Sequence, residues 1–175
     1  ATSSIVTITI TPVNDAPTLA ATQVITTSED TAHSFNLVAA ADVDLDTLNY
    51  IIVSSPISGS LSCTGASSRA CTYTPAPNYS GSTTFTYKVN DGALDSTLNT
   101  VTVNITAVND APTLASTQSV TTSEDTLTNF NLTAGSDTEN DTLSYVVVSS
   151  TSNGVLSCSG GTSRACSYTP SLNFN

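Results

Sequence analysis

The chain has 175 residues and a formal net charge of −11, set by 14 acids against three basic residues, with four cysteines and neither Met nor Trp. So few cations argue against nucleic acid or an anionic membrane as partners, since both must be neutralised by Lys and Arg. The length allows one or two domains, and a repeated hexapeptide decides between them. Val-Asn-Asp-Ala-Pro-Thr stands at Val13–Thr18 and again at Val108–Thr113, 95 residues away. At that offset, 46 of the 80 positions in 1–80 are identical to those in 96–175, so the chain is a tandem array.

Residues 1–12 match 96–107 and read as the last strand of a preceding repeat, with Val6, Ile8 and Ile10 alternating at the strand period of two. The hexapeptide is the joint. Pro17 and Pro112 cannot donate to a ladder, and they press Ala16 and Ala111 toward extended geometry. The complete repeat, 13–107, then offers a Thr/Val/Ile-rich strand from Leu19 to Thr27 and a second strand at Phe35 and Leu37. An acidic loop at 42–46 follows, then a third strand alternating through Leu48, Tyr50 and Ile52. Residues 58–75 read as a hairpin, with two short runs separated by Gly and Ser. Phe85, Tyr87 and Val89 mark another strand, and Val101, Val103 and Ile105 the last. About seven strands per repeat and no helical stretch predict an all-β chain of tandem immunoglobulin-like Greek-key β-sandwiches. The second repeat, 108–175, is expected to break off before its last two strands, as a piece of a longer chain would.

The cysteines recur in pairs eight residues apart, Cys63 with Cys71 and Cys158 with Cys166. No further Cys or His stands near enough to complete a zinc site. Facing each other across the hairpin, each pair predicts a disulfide within its own repeat, and hence an oxidising compartment.

The acids fall into repeated clusters with little base between them, which solubility alone does not require. Asp15 and Asp110 lie in the joints beside Asn14 and Asn109. Glu29 and Glu124 lie in two Ser-Glu-Asp-Thr stretches, and Asp91 precedes Gly92. Asp42, Asp44 and Asp46 place carboxylates at every second residue, repeated as Asp137, Glu139 and Asp141. Clustered carboxylates and amide oxygens in irregular loops suit calcium, which takes six to eight oxygen ligands without demanding a strict octahedron.

Taken together, VNDAPT, the early Glu-Asp-Thr, D-x-D-x-D-T-L-x-Y, YTP, F-T-Y-x-V-x-D-G and the period of 95 residues resemble the bacterial cadherin-like repeats of the VCBS or tandem-95 type. That resemblance implies calcium bound where consecutive sandwiches meet. By motif, Asn14 and Asp15 are joint ligands above the first repeat, with Asp42, Asp44 and Asp91. Glu29 matches the early glutamate, which would act with Asn109, Asp110, Asp137 and Glu139 at the next joint. The joint is one residue shorter than the cadherin Asn-Asp-Asn-x-Pro, the mid-domain Leu-Asp-Arg-Glu is absent, and Asp44 becomes Glu139. One or two ions per joint are therefore expected.

His33 becomes Thr128 in the second copy, so it reads as an exposed strand residue, and no Ser-His-Asp set can recur. Arg69 and Arg164 do recur, at the hairpin tip, and read as contacts to a neighbouring backbone. The sequence thus predicts a calcium-stiffened spacer of a large extracellular or cell-surface protein, an adhesin, whose partners are neighbouring repeats together with cell-surface proteins or glycans. The alternative is a sandwich that itself binds carbohydrate or protein. A hydrolase is not expected.

Overall fold

The computed structural model describes residues 3–174, and those residues are all β, without a helix. The chain separates into two compact units, 1–108 and 109–175.

In the first unit nine strands follow one another: β1 (Thr18–Leu19), β2 (Gln23–Ser28), β3 (His33–Asn36), β4 (Ala40–Ala41), β5 (Asn49–Ser54), β6 (Ser60–Cys63), β7 (Ala70–Thr74), β8 (Gly81–Asn90) and β9 (Asn99–Thr106). Seven of them build the sandwich. One sheet runs β2-β9-β8-β5 and the other β3-β7-β6, while β1 and β4 pair as a small separate ladder. β2 lies parallel to β9, and the remaining ladders are antiparallel. The expected strand from Leu19 to Thr27 is in fact two. Leu19 pairs with Ala40, and only from Gln23, opposite Val101, does the chain join the main sheet.

The long strands show why the alternation was informative. Phe85, Tyr87 and Val89 of β8, and Val101, Val103 and Ile105 of β9, turn inward and are buried, while Thr84 and Asn104 face out. Leu37, Tyr73 and Cys71 from the opposite sheet close the core. Each such side chain contributes about 1.5–3 kcal/mol through its removal from water. Two disulfides are present, Cys63–Cys71 and Cys158–Cys166, each within its own repeat. Cys63 and Cys71 are directly opposed across β6 and β7, which is what an eight-residue spacing around a hairpin requires.

The second unit holds β10 (Thr128–Asn131), β11 (Gly154–Cys158) and β12 (Ala165–Pro170) in a sheet of order β10-β12-β11. These are the counterparts of β3, β6 and β7, with the same pairing of Phe130 to Cys166 and Cys158 to Cys166. Residues 118–123, which repeat β2, and 144–149, which repeat β5, form no extended strand. In the first unit these segments are laddered to β9 and β8, and among the described residues no such strand lies beside them in the second unit. Residues 3–12, the described part of the expected leading strand, are likewise unpaired and exposed, and Ala1, Thr2 and Asn175 lie outside the described residues.

Candidate functional site

In the first unit, the loop after β4 turns through Asp42, Leu45 and Asp46, with Leu45 at φ +63°. Three anchors hold it. Thr18 Oγ1 donates to the Ala41 carbonyl at 3.2 Å, β1 pairs with β4, and the Ala40 amide donates to the buried-side Tyr50 hydroxyl at 3.0 Å. Asp42 organises the turn itself, since its Oδ1 accepts from the amides of Asp44 at 2.9 Å and Asp46 at 3.2 Å. The alternation of acids and the turn together bring one oxygen from each of Asp42, Asp44 and Asp46 within 4.8 Å of one another. Among the described residues this is the only such group of three His, Cys, Asp or Glu side chains.

The joint and the late loop are tied to the same end of the unit. The Asp15 amide donates to Asp44 Oδ2 at 2.8 Å, and Asn14 Nδ2 donates to Asp91 Oδ2 at 2.9 Å. Asp91 Oδ1 accepts from the Ala93 and Leu94 amides at 2.7 Å each. The bonds from the Leu94 and Ala93 amides, then that from Asn14, hold the Asp91 carboxyl below its ordinary value, so it carries its charge. Among the described residues, no basic side chain pairs with these carboxylates. Lys88 is engaged with Asp95 at 2.6 Å, and Arg69 Nη1 donates to the Leu37 carbonyl at 2.9 Å. Asp42 Oδ2 is shielded from solvent and has no hydrogen-bond partner.

Glu29 sits at the other end of the unit, where β2 and β9 finish side by side. It is 3% exposed; its amide donates to the Thr106 carbonyl at 3.0 Å and its Oε1 accepts from the Val108 amide at 2.6 Å. The glutamate thereby clamps the chain leaving β9.

The second unit repeats part of this. The Asp110 amide donates to Glu139 Oε2 at 3.0 Å, as Asp15 does to Asp44, and Asp137 Oδ1 accepts from the Asp141 amide at 2.9 Å. Asp110 Oδ2 is also shielded and without a partner, and Asn109 Nδ2 donates to the Asp110 carbonyl at 3.0 Å. Asp137, Glu139 and Asp141 are not gathered as tightly as the first triplet. Glu124 is exposed, and among the described residues no strand stands beside it as β9 stands beside Glu29.

Two recurring contacts escaped sequence reasoning. Asp30 Oδ1 accepts from the Asn78 amide at 3.1 Å, and Asp125 Oδ1 from that of Asn173 at 3.2 Å. Both acids are therefore turn anchors, and all four residues have φ between 54° and 57°. The signal was the recurrence of Asn78 as Asn173. The Asn14–Asp91 bond joins residues 77 apart, and no local pattern announces it.

No curated protein matches the chain. Among solved structures, the chain is similar to the extracellular cadherin domains 1–5 of protocadherin gamma B2, with 20% identity and a TM-score of 0.60 over 93% of this chain and 34% of that one. Domains 3–6 of the same protein align with 16% identity and a TM-score of 0.55 over 88% of this chain and 38% of that one. The chain thus spans about a third of those proteins' length, and the likeness is one of fold. A model of the bacterial Ig domain matches residues 14–106 and again 109–175, and the chain belongs to that family.

Proposed function

We propose that these bacterial Ig domains are calcium-binding structural repeats of an extracellular or cell-surface protein of the adhesin kind, in which the ion fixes each joint. The paired disulfides fit an extracellular setting. The observation that carries the metal reading is the trio Asp42, Asp44 and Asp46, close together, with no basic side chain paired to them among the described residues and with Asp42 Oδ2 unpartnered. A shielded carboxylate oxygen without a partner is costly, and a bound cation offsets that cost. Every donor at this end is an oxygen, which suits a hard cation. Asp42, Asp44 and Asp46 would hold the ion, with Asp15, Asn14 and Asp91 at the same end of the unit.

The stiffening follows from where each joint segment is tied. Glu29 pins the Val108 amide within the first unit, and Glu139 receives the Asp110 amide within the second. An ion that draws Asp44 or Glu139 onto fixed ligands tightens the joint segment that bonds to it. Extracellular calcium modules have dissociation constants of about 10⁻⁴–10⁻³ M. At ten times that concentration one ion stabilises by about 1.4 kcal/mol.

Thermal melts with and without a chelator test this reading. Replacing Asp42→Asn together with Asp44→Asn is expected to remove the calcium-dependent rise in melting temperature. In chelator the variant should melt at or slightly above the parent temperature, because like charges are relieved. Equal destabilisation in both conditions would make the triplet a structural loop and overturn the metal reading.

A further inference from the structure

Aspartate precedes glycine once in the chain, at Asp91–Gly92, and asparagine precedes it once, at Asn153–Gly154. Asparagine counts among the thermolabile residues. It is most labile before glycine, whose nitrogen, with no Cβ beside it, reaches the side-chain carbon of the preceding residue. The two pairs are held differently. In the first unit the Gly92 amide donates to Asn90 Oδ1 at 2.8 Å, and the Asp91 carboxylate accepts from the Ala93 and Leu94 amides and from Asn14 Nδ2. Both groups that would react are engaged.

In the second unit, Asn153 stands exposed in the bend before β11, an edge strand of its sheet. Its carbonyl accepts from the Ser171 amide at 3.1 Å and from the Tyr168 hydroxyl at 2.7 Å. The Ser171 bond makes Asn153 and Ser171 a hydrogen-bonded pair, so the next pair, Gly154 with Pro170, is of the non-hydrogen-bonded kind. The Gly154 amide therefore points away from β12, on the side where Thr151 Oγ1 donates to the Gly154 carbonyl at 3.0 Å. Among the described residues neither that amide nor the Asn153 side chain has a hydrogen-bond partner. Glycine is itself required here, because a Cβ at 154 would collide with the Thr169 carbonyl and the Tyr168 ring.

We propose that Asn153 is a site of spontaneous covalent modification, deamidation with isomerisation of the chain, for which water is the co-reactant. Gly154 N bonds to Asn153 Cγ as the Cγ–Nδ2 bond breaks, and the proton from Gly154 N leaves with Nδ2 as ammonia. Water then opens the cyclic imide. Addition at Cγ gives aspartate, and addition at the main-chain carbonyl gives isoaspartate, with the chain running through Cβ and Cγ. Either product adds a carboxylate. The second also lengthens the backbone where Tyr168 and Ser171 bond. In the first unit Ser58 has this place, its carbonyl accepting from the Tyr73 hydroxyl at 2.9 Å, and serine has no side-chain carbonyl to attack. One hairpin thus changes with age and its counterpart does not. The site lies outside the acidic loops and is independent of the calcium reading.

Peptide mapping by mass spectrometry, with enzymatic methyl labelling of isoaspartate, tests this on the 175-residue chain aged in chelator, folded and in denaturant. In the folded chain Asn153 is expected to convert several times faster than any other asparagine, at a rate comparable to that in denaturant, and to a mixture of aspartyl and isoaspartyl peptides. Asp91 should isomerise more slowly folded than in denaturant. Asn153→Ser, which installs the first unit's residue, should abolish the acidic variant that ageing produces and leave the melt unchanged. Conversion of Asn153 only in denaturant overturns the proposal, as does a folded chain in which other asparagines convert as fast. So does an Asp91 that isomerises equally in both states, since engagement of the glycine amide would then decide nothing.

Discussion

At the residue scale, the acids divide by what they touch. Asp42 shapes a turn and keeps one oxygen free, Asp91 and Asp30 anchor loops, Glu29 clamps the chain that leaves β9, and Asp95 balances the unit's single lysine. The Asp95 carboxyl is held below its ordinary value chiefly by the hydrogen bond from Lys88, then by that from Asn90. A depressed carboxyl contributes stability that is present above its unfolded pKa and lost as pH falls through its folded one. The melting temperature of Asp95→Asn should therefore fall below that of the parent near neutrality and converge with it below the ordinary carboxylate range. Melts across that range in chelator check this, and a gap that persists at the acid end contradicts it. The effect is small, because the pair is exposed. Sequence alone marked which residues were acidic and repeated. It did not separate the proposed ligands from turn anchors, since that depends on partners such as Asn78 and Asn14 from distant loops.

At the scale of elements, alternation located β8 and β9 because both faces of each strand declare themselves, Phe85 and Tyr87 inward and Thr84 and Lys88 outward. The opposition of Cys63 and Cys71 was legible for a similar reason: a short hairpin leaves few registers. What alternation could not show is that 118–123 stays unpaired although it repeats β2, because a strand needs a neighbour to bond to. Likewise Leu19 looked continuous with β2, yet its ladder partner is Ala40. Reduction of the Cys63–Cys71 bond should lower the first unit's stability by about 2–3 kcal/mol, the closure entropy of so short a loop, without unfolding it. Denaturant titration of Cys63→Ser with Cys71→Ser measures this, and an unchanged midpoint contradicts it. Gly59, at φ +79°, has the Tyr73 ring and the Thr74 carbonyl where a Cβ would stand. Gly59→Ala is expected to cost about 1–3 kcal/mol by the same titration, and a neutral result would show that the hairpin start yields easily.

For the whole molecule, the bacterial Ig repeats bond the joint segment to the acidic loop of each unit, at Asp15 with Asp44 and at Asp110 with Glu139, and in the first unit the three acids of that loop are gathered together. If calcium tightens these ties, the Asp15 and Asp110 amides should exchange with solvent more slowly in millimolar calcium than in chelator, while amides in the middle of β8 stay unchanged. Hydrogen exchange resolved by residue reads both at once, and uniform slowing throughout would indicate a general stabilisation without a joint-specific effect. The central claim is more elementary: that the trio of Asp42, Asp44 and Asp46 binds calcium at all. Isothermal titration of the chain with calcium tests it most directly, with Asp42→Asn plus Asp44→Asn as the paired sample. Saturable binding at about 10⁻⁴–10⁻³ M is expected, with at least one site lost in the variant. Identical isotherms for the two proteins, or no saturable binding to either, would contradict it.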